Sequence, residues 1–395
     1  MNSNNNPDPI LFRGITKDYL WGKALDSIVG SLSENKELKN YAEIWFGDHP
    51  SGAGLITNSK EPLDQLIRNN ADKILNASSI EHFGKRLPYL FKFLSIAKPL
   101  SIQAHPNSEQ AKILHLEDGK AYPDPYPKPE VGIALTDVSL LYGFKSPDEI
   151  AKLLSSDELL PELKFLLGAE TTKICLENIK NACELNKLLT IKLFESSKEI
   201  IKEVASKYLA RISNKSNITK LETALLKIKD DFPDGDIGFI FCHLLNYIEL
   251  APFQAIFIDA GIPHAYLSGE LAECMSASDN VVRTGLTTKK IDQHNLIKIL
   301  DYTPRNYRPV TVFEDSFLNY HTKTQDYFKL KVIHKPKAYK LTTNLSANLI
   351  VPYSTPALIT TTQEKHTIAL GSAVLLPYGI TDCQIDSEGV VFVTA

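Results

Sequence analysis

The 395-residue chain carries 43 basic and 47 acidic residues, a net charge of −4 with no long basic run, which excludes a nucleic-acid footprint and requires any anionic ligand to be met by locally placed cations. Hydrophobic residues at 43% and charged residues at 23% exclude a disordered chain, no apolar run approaches membrane-spanning length, and the length predicts two or three domains. Met1-Asn2-Ser3-Asn4-Asn5-Asn6-Pro7 lacks the charged and apolar regions of a secretory signal, and five scattered cysteines without a Cys-x-x-Cys pair argue against both a disulfide framework and a thiolate metal site, so a cytoplasmic protein is expected.

Tyr19-Leu20-Trp21-Gly22-Lys23 and Tyr41 to Gly52 read as aromatic strands closed by Gly and Pro turns, with His49 a satisfied structural histidine. Leu87 to Pro99 is an apolar strand interrupted by Lys92, which taken alone reads as an edge residue whose head reaches water. In Ser101-Ile102-Gln103-Ala104-His105-Pro106, alternation sends Ser101, Gln103 and His105 to one face, and a core strand with three polar groups on one face needs a hydrogen-bond network or a metal. A helix is predicted over 107–116. Four prolines then forbid regular structure until Lys128-Pro129-Glu130 opens a strand with Glu130, Gly132 and Ala134 on a shared face.

Ser146-Pro147-Asp148-Glu149 has the form of a capping box with proline at the first helical position. Apolar spacing of three and four makes residues 146–247 a helical insertion without candidate chemistry, in which Cys175, Cys183 and Cys242 act as small core residues. Strand character returns at 253–258, and His264 and Tyr266 share a face just after a turn. Glu273, Asp279, Arg283 and Lys289 follow within a short span. From 309 to 395 the chain reads as all-β, with His366 to Leu376 a strand pair. The expected division is 1–145 plus 248–308, a helical 146–247, and a β domain at 309–395.

Two imidazoles, a carboxylate and an amide oxygen (His105, His264, Glu130 and Gln103) arrive on three separate strands. Two His and one carboxylate leave open positions, which suits catalytic zinc and equally the facial triad of a non-heme Fe(II) oxygenase. A non-catalytic sugar-binding module is a third reading of the same residues.

Tyr41 to Gly52, Ser101 to Pro106, Lys128 to Leu135 and especially His264 to Gly285 resemble the signature segments of type I mannose-6-phosphate isomerases, over roughly residues 10 to 300. The resemblance implies a mainly β protein: a cupin jelly-roll β-sandwich with an inserted α-helical domain and a second, C-terminal jelly roll. It further implies one zinc ion per chain, on Gln103, His105, Glu130 and His264. The implied reaction is the interconversion of mannose 6-phosphate and fructose 6-phosphate through ring opening and a cis-enediol, by a monomer without nucleic-acid or membrane partners. That enzyme feeds mannose metabolism and GDP-mannose synthesis. Catalytic roles fall on Arg283, Lys128, Glu273 and Asp279, with Glu273 or Asp279 as the C1/C2 base and Lys128, its ammonium pKa depressed by a nearby cation, assisting ring opening. Ser101, Lys92, Tyr266 and Lys289 are substrate contacts. Two positions depart from the family pattern. Pro127 replaces a usual histidine, and Pro252-Phe253-Gln254 replaces Pro-Gly-Glu, so a local change of turn geometry is expected because Phe lacks glycine's easy access to positive φ.

Overall fold

The computed structural model describes residues 8–307, 310–311, 317–321, 326–341 and 346–395; Met1 to Pro7 and the expected boundary at 308/309 lie outside the described residues. The element that joins the parts is a 13-residue strand, His264–Ser276. Its second half runs in a sheet between Glu130–Ala134 and Tyr89–Ile96, and that sheet continues to Gln254–Ile258 and Val310–Thr311 on one side and to Glu43–Phe46 and Ile15–Lys17 on the other. Its first half lies in another layer, between Ile102–Ala104 and Val138–Phe144, flanked by Val282–Gly285 and Leu245–Leu250. The two layers make a jelly-roll sandwich that shares one strand.

That strand changes face where it changes sheet. Two residues of the strand, Tyr266 to Ser268, advance against only one of its partner, Leu140 to Ser139, a β-bulge, and Gly269 follows with φ 112. A Cβ at 269 would lie 2.5 Å from the Asp137 carbonyl oxygen, so the bend admits only glycine. The extra residue turns Leu271, Glu273 and Met275 to the face already held by His264 and Tyr266: a Cβ on Gly132 would fall 2.6 Å from Tyr266 Oη and 3.1 Å from Leu271 Cδ1 together. Strict alternation would have sent Glu273 outward.

The outward face carries Phe91, Phe93, Val131, Ile133, Ala272 and Cys274, which pack against Phe328, Leu330, Leu349 and Phe392 of the C-terminal sheet. Phe91 and Phe93 both meet the Phe392 ring, at 5.3 and 5.7 Å between centroids. That seven-stranded sheet takes in the first strand of the chain, with Ile10–Arg13 antiparallel to Ser372–Leu376 and also paired to Leu55–Ile56. Its other face packs on a four-stranded sheet through Ile333, Ile350, Ile359, Val374, Ile385 and Val391. Helices run from Pro147–Ser155, where Ser146 and Glu149 form the expected capping box, to Gly238–Phe241.

Several expectations are corrected. Tyr19 to Lys23 is a turn fixed by isolated bridges, Gly22 to Ile96 and Lys23 to Tyr41, and Tyr19 and Leu20 are exposed. Lys92 is central, with paired strands on both sides, and buried. Cys183 is exposed, whereas Cys175 and Cys242 are in the core. Lys365–Ile368 and Ser372–Leu376 fall in different sheets rather than pairing. Phe253 adopts φ 62 after all, anchored by its N–H on the Ala134 carbonyl (2.7 Å) and by its ring edge-on to His334 at 4.8 Å. The glycine-like turn is therefore kept, at a strain of about 1–3 kcal/mol.

Gly269→Ala is expected to lower the free energy of unfolding by more than about 3 kcal/mol, because it combines a forbidden φ with backbone contact. Gly168→Ala, at φ 71 but with no neighbour within 4 Å, is expected to cost only about 1–2 kcal/mol. Denaturant titration of both variants checks this, and equal losses would show that the contacts at the bulge do not matter.

Candidate metal centre

Three buried side chains converge on one point. The His105 and His264 imidazoles and the Glu130 carboxylate present ligand atoms within 4.8 Å of one another. Each comes from a strand or strand end: His105 directly after Ile102–Ala104, Glu130 at the head of its strand, His264 at the head of the shared strand. Across the smaller layer, Arg283, Gln103, His264 and Tyr142 stand opposite one another on successive strands, so their side chains share a face.

Both imidazoles are oriented by backbone. His105 Nδ1 donates to the Asn280 carbonyl and His264 Nδ1 to the Ile262 carbonyl, each at 2.9 Å. A carbonyl can only accept, so the proton sits on Nδ1 and the Nε2 lone pairs are free. His105 Nε2, His264 Nε2 and Glu130 Oε2 have no hydrogen-bond partner although buried. They face each other at 3.3 Å (His105 to Glu130 Oε1) and 3.5 Å (His264 to Glu130 Oε2), close to the roughly 3.4 Å edge of a tetrahedron of ligands about 2.0–2.1 Å from zinc. Burial lowers the His105 pKa to about 4, so its imidazole is neutral at physiological pH. Burial pushes the Glu130 carboxyl up, but the pull of its neighbours, led by the Lys128 ammonium beside it, outweighs burial and holds it well below the usual range. The donor set fits a divalent cation. The Gln103 amide, on the same face and half-exposed, makes no hydrogen bond among the described residues.

A second set of charges adjoins the first. Lys128 Nζ, buried, lies 3.0 Å from Glu130 Oε1. Glu273 stands opposite Gly132 on one side and Lys92 on the other, and Lys92 Nζ lies 3.7 Å from Glu273 and 3.6 Å from Glu43. Burial lowers the Lys92 pKa, but the two carboxylates outweigh it and hold its ammonium charged. The Glu273 carboxyl is pushed up to about 7 by burial and then by the Glu130 charge, against the pull of Lys92 and Lys128. The Tyr266 hydroxyl is raised well above its ordinary value by burial and by Glu273. Glu43 and Trp45, absent from the sequence reading, complete this row: the indole N–H donates to Glu43, and Lys92 sits 4.8 Å over the ring. Their signal was the alternation Glu43-Trp45 within an aromatic run.

The remaining residues lie around this cluster. Asp279 is half-exposed and pairs with His49 Nε2 at 3.3 Å, which lowers its pKa; His49 is buried and satisfied, as a structural histidine should be. The Arg283 guanidinium, its pKa lowered by burial, and exposed Lys289, its pKa lowered first by Arg283 and then by burial, have no carboxylate partner among the described residues. Ser101 precedes Gln103 on the same face and is half-buried.

Residues 11–147 match a family model described as phosphomannose isomerase type I, catalytic domain. Mannose-6-phosphate isomerase of Rattus norvegicus is 35% identical over 94% of this chain and 94% of its own length. The fold is also that of two crystal structures, each 24% identical. One is of a point mutant of phosphomannose isomerase from Salmonella typhimurium (TM-score 0.84, covering 98% of this chain and 99% of that one), and the other of a zinc-bound mannose 6-phosphate isomerase (TM-score 0.82, covering 98% of both). With a third of its residues shared along nearly its whole length, the chain belongs to the type I mannose-6-phosphate isomerase family.

Proposed function

We propose that this chain interconverts D-mannose 6-phosphate and D-fructose 6-phosphate with one zinc ion on Gln103, His105, Glu130 and His264. The observation that carries the reading is the buried His105–Glu130–His264 set, whose Nε2 and Oε2 atoms lack hydrogen bonds, together with Arg283 and Lys289, which have no carboxylate partner among the described residues. The relatives named above support the substrate, and the zinc-bound relative supports the metal. Alanine mutants among the Salmonella structures add a further match. Their lysine and one glutamate lie two residues apart, and histidine, glutamate and arginine follow at intervals of nine and ten. Lys128 and Glu130, then His264, Glu273 and Arg283, have these same intervals here. The three ligands would also suit an Fe(II) oxygenase; Arg283 and Lys289 favour a phosphorylated substrate instead.

When bound, the zinc supplies Lewis-acid polarisation of the sugar oxygens. Arg283 and Lys289 bind the phosphate dianion, with forked donors from the guanidinium. Lys128 holds a proton at the ring oxygen during opening. Glu273 then takes the proton from C2, leaving an enediolate that becomes the cis-enediol as O1 gains a proton; the C2 proton is returned to C1 while O2 gives up its own, a task suited to a carboxylate poised near neutrality. Tyr266 stays protonated and donates to a sugar oxygen, and Ser101 contacts a hydroxyl. Lys92 holds Glu273 rather than the sugar, and Asp279 orients His49. We further propose a cytoplasmic monomer that feeds mannose metabolism and GDP-mannose synthesis, and folding units at 1–145 plus 248–308, 146–247 and 309–395.

An NMR time course of mannose 6-phosphate in deuterated water, with and without chelator, tests the reaction. Fructose 6-phosphate should form with deuterium entering at C1 or C2, stop with chelator and resume with zinc; a zinc-loaded protein that leaves the sugar unchanged would remove the proposal. Glu130→Ala is expected to lose the metal, by elemental analysis, together with turnover, and full metal content with full activity would take Glu130 out of the ligand set. Because Glu273 must be ionised to act as base, kcat/KM should rise with pH through a limb at or below about 7, lower when a dication on Glu130 offsets its charge. Glu273→Gln should cost about 10²–10⁴-fold in kcat and remove that limb. An unchanged limb would assign the base elsewhere.

A further inference from the structure

Besides apolar packing, a buried carboxylate ties the helical segment to the strand that carries Arg283. Asp236 is 7% exposed; its Oδ1 accepts from the backbone N–H of Gly238 (2.6 Å) and of Leu286 (2.7 Å), and its Oδ2 accepts from the N–H of Thr287 (3.2 Å). Gly238 opens the short helix Gly238–Phe241, whereas Leu286 and Thr287 follow directly on the Val282–Gly285 strand that carries Arg283. One side chain thus fastens two segments 50 residues apart. The backbones touch there: a Cβ on Gly238 would fall 2.4 Å from Leu286 N, and one on Gly285 would fall 2.5 Å from Gly238 Cα. Leu286 takes φ 52, a left-handed conformation that a non-glycine residue keeps only when its surroundings hold it.

The hold reaches the cations. Thr287 Oγ1 accepts from the Lys289 N–H at 3.1 Å, so the backbone is pinned from Leu286 as far as Lys289. Arg283 and Lys289 are close enough to repel, and among the described residues no carboxylate pairs with either. A segment that carries two like charges would spread unless its backbone were fixed. Asp236 fixes it through N–H groups and leaves both cationic heads uncommitted.

We propose that Asp236 is a positioning residue for anion binding: by holding Leu286 and Thr287 it sets Arg283 and Lys289 at the spacing that grips the phosphate of the sugar. This rests on the reading of those two cations as the phosphate site. It gives the helical segment a share in substrate recognition.

The test uses zinc-loaded full-length enzyme, with inorganic phosphate as competitive inhibitor and mannose 6-phosphate as substrate. Asp236→Asn keeps an acceptor for Gly238 and Leu286 but turns an NH₂ toward the Thr287 N–H, where donor meets donor. It should raise both the KM and the phosphate inhibition constant about tenfold, with kcat changed less than about threefold and zinc content unchanged. Asp236→Ala, which removes all three acceptors, should raise them further. Phosphate inhibition unaltered in both variants would overturn the proposal, as would a lowered melting temperature with unaltered phosphate affinity, the mark of a merely structural role. Arg283→Ala in the same assay separates the two levels. If it leaves phosphate inhibition intact, the phosphate site itself is misassigned; if it weakens inhibition while the Asp236 variants do not, only the role of Asp236 fails.

Discussion

Two imidazole nitrogens and a carboxylate oxygen, all out of reach of water and none hydrogen-bonded, set the terms for the rest of the molecule. Burying such groups costs several kcal/mol unless a cation or a donor meets them. The fold meets this cost by rigid placement. Backbone carbonyls at Asn280 and Ile262 fix the tautomers, and Lys128 keeps Glu130 ionised. The ligands sit at strand ends, so their mutual distances depend on sheet register rather than on loops. The same constraint explains Gly132, where any side chain would displace the Tyr266 hydroxyl from beside the cluster.

Much of this was legible because alternation is a local property. Gln103 with His105, Glu130 with Gly132, and His264 with Tyr266 could each be placed on a face from five or six residues of sequence. What alternation could not carry was the bulge at Ser268 and Gly269. Glu273 lies an odd number of residues from His264, and only an inserted residue brings both inward. Lys92 was misread for a related reason. Its partners Glu43 and Glu273 are on flanking strands remote in sequence, and a lysine among apolar residues is an edge residue unless such partners exist. Phe253 shows the opposite failure: an intrinsic backbone preference was overridden by tertiary anchoring. Asp236 lay in a segment whose periodicity shows only helix, since a carboxylate that binds backbone N–H groups of a distant strand leaves no mark in a pattern of apolar spacing.

The site is also supported from behind. The strand that presents Lys92 inward presents Phe91 and Phe93 outward to Phe392, so one run of alternating residues serves the charged interior and the inter-sheet core together. Side chains at Lys92 and Glu273 are thereby held on a sheet packed on both faces. This suits the proton-transfer role proposed for Glu273, in which position matters to fractions of an ångström.

The pairing of Ile10–Arg13 with Ser372–Leu376 bears on how the molecule comes into being. Ile10 faces Leu375, and Gly14 donates to the Gly371 carbonyl at 3.0 Å. A ribosome releases residues 10–13 long before residues 372–375. The strand has a near neighbour in Leu55–Ile56, but its other edge waits for residues 372–375, so closure of that sheet is a long-range event of the slow kind. A chain cut short before residue 372 would leave that edge of Ile10–Arg13 without its partner, a raw sheet edge open to chaperones or proteases.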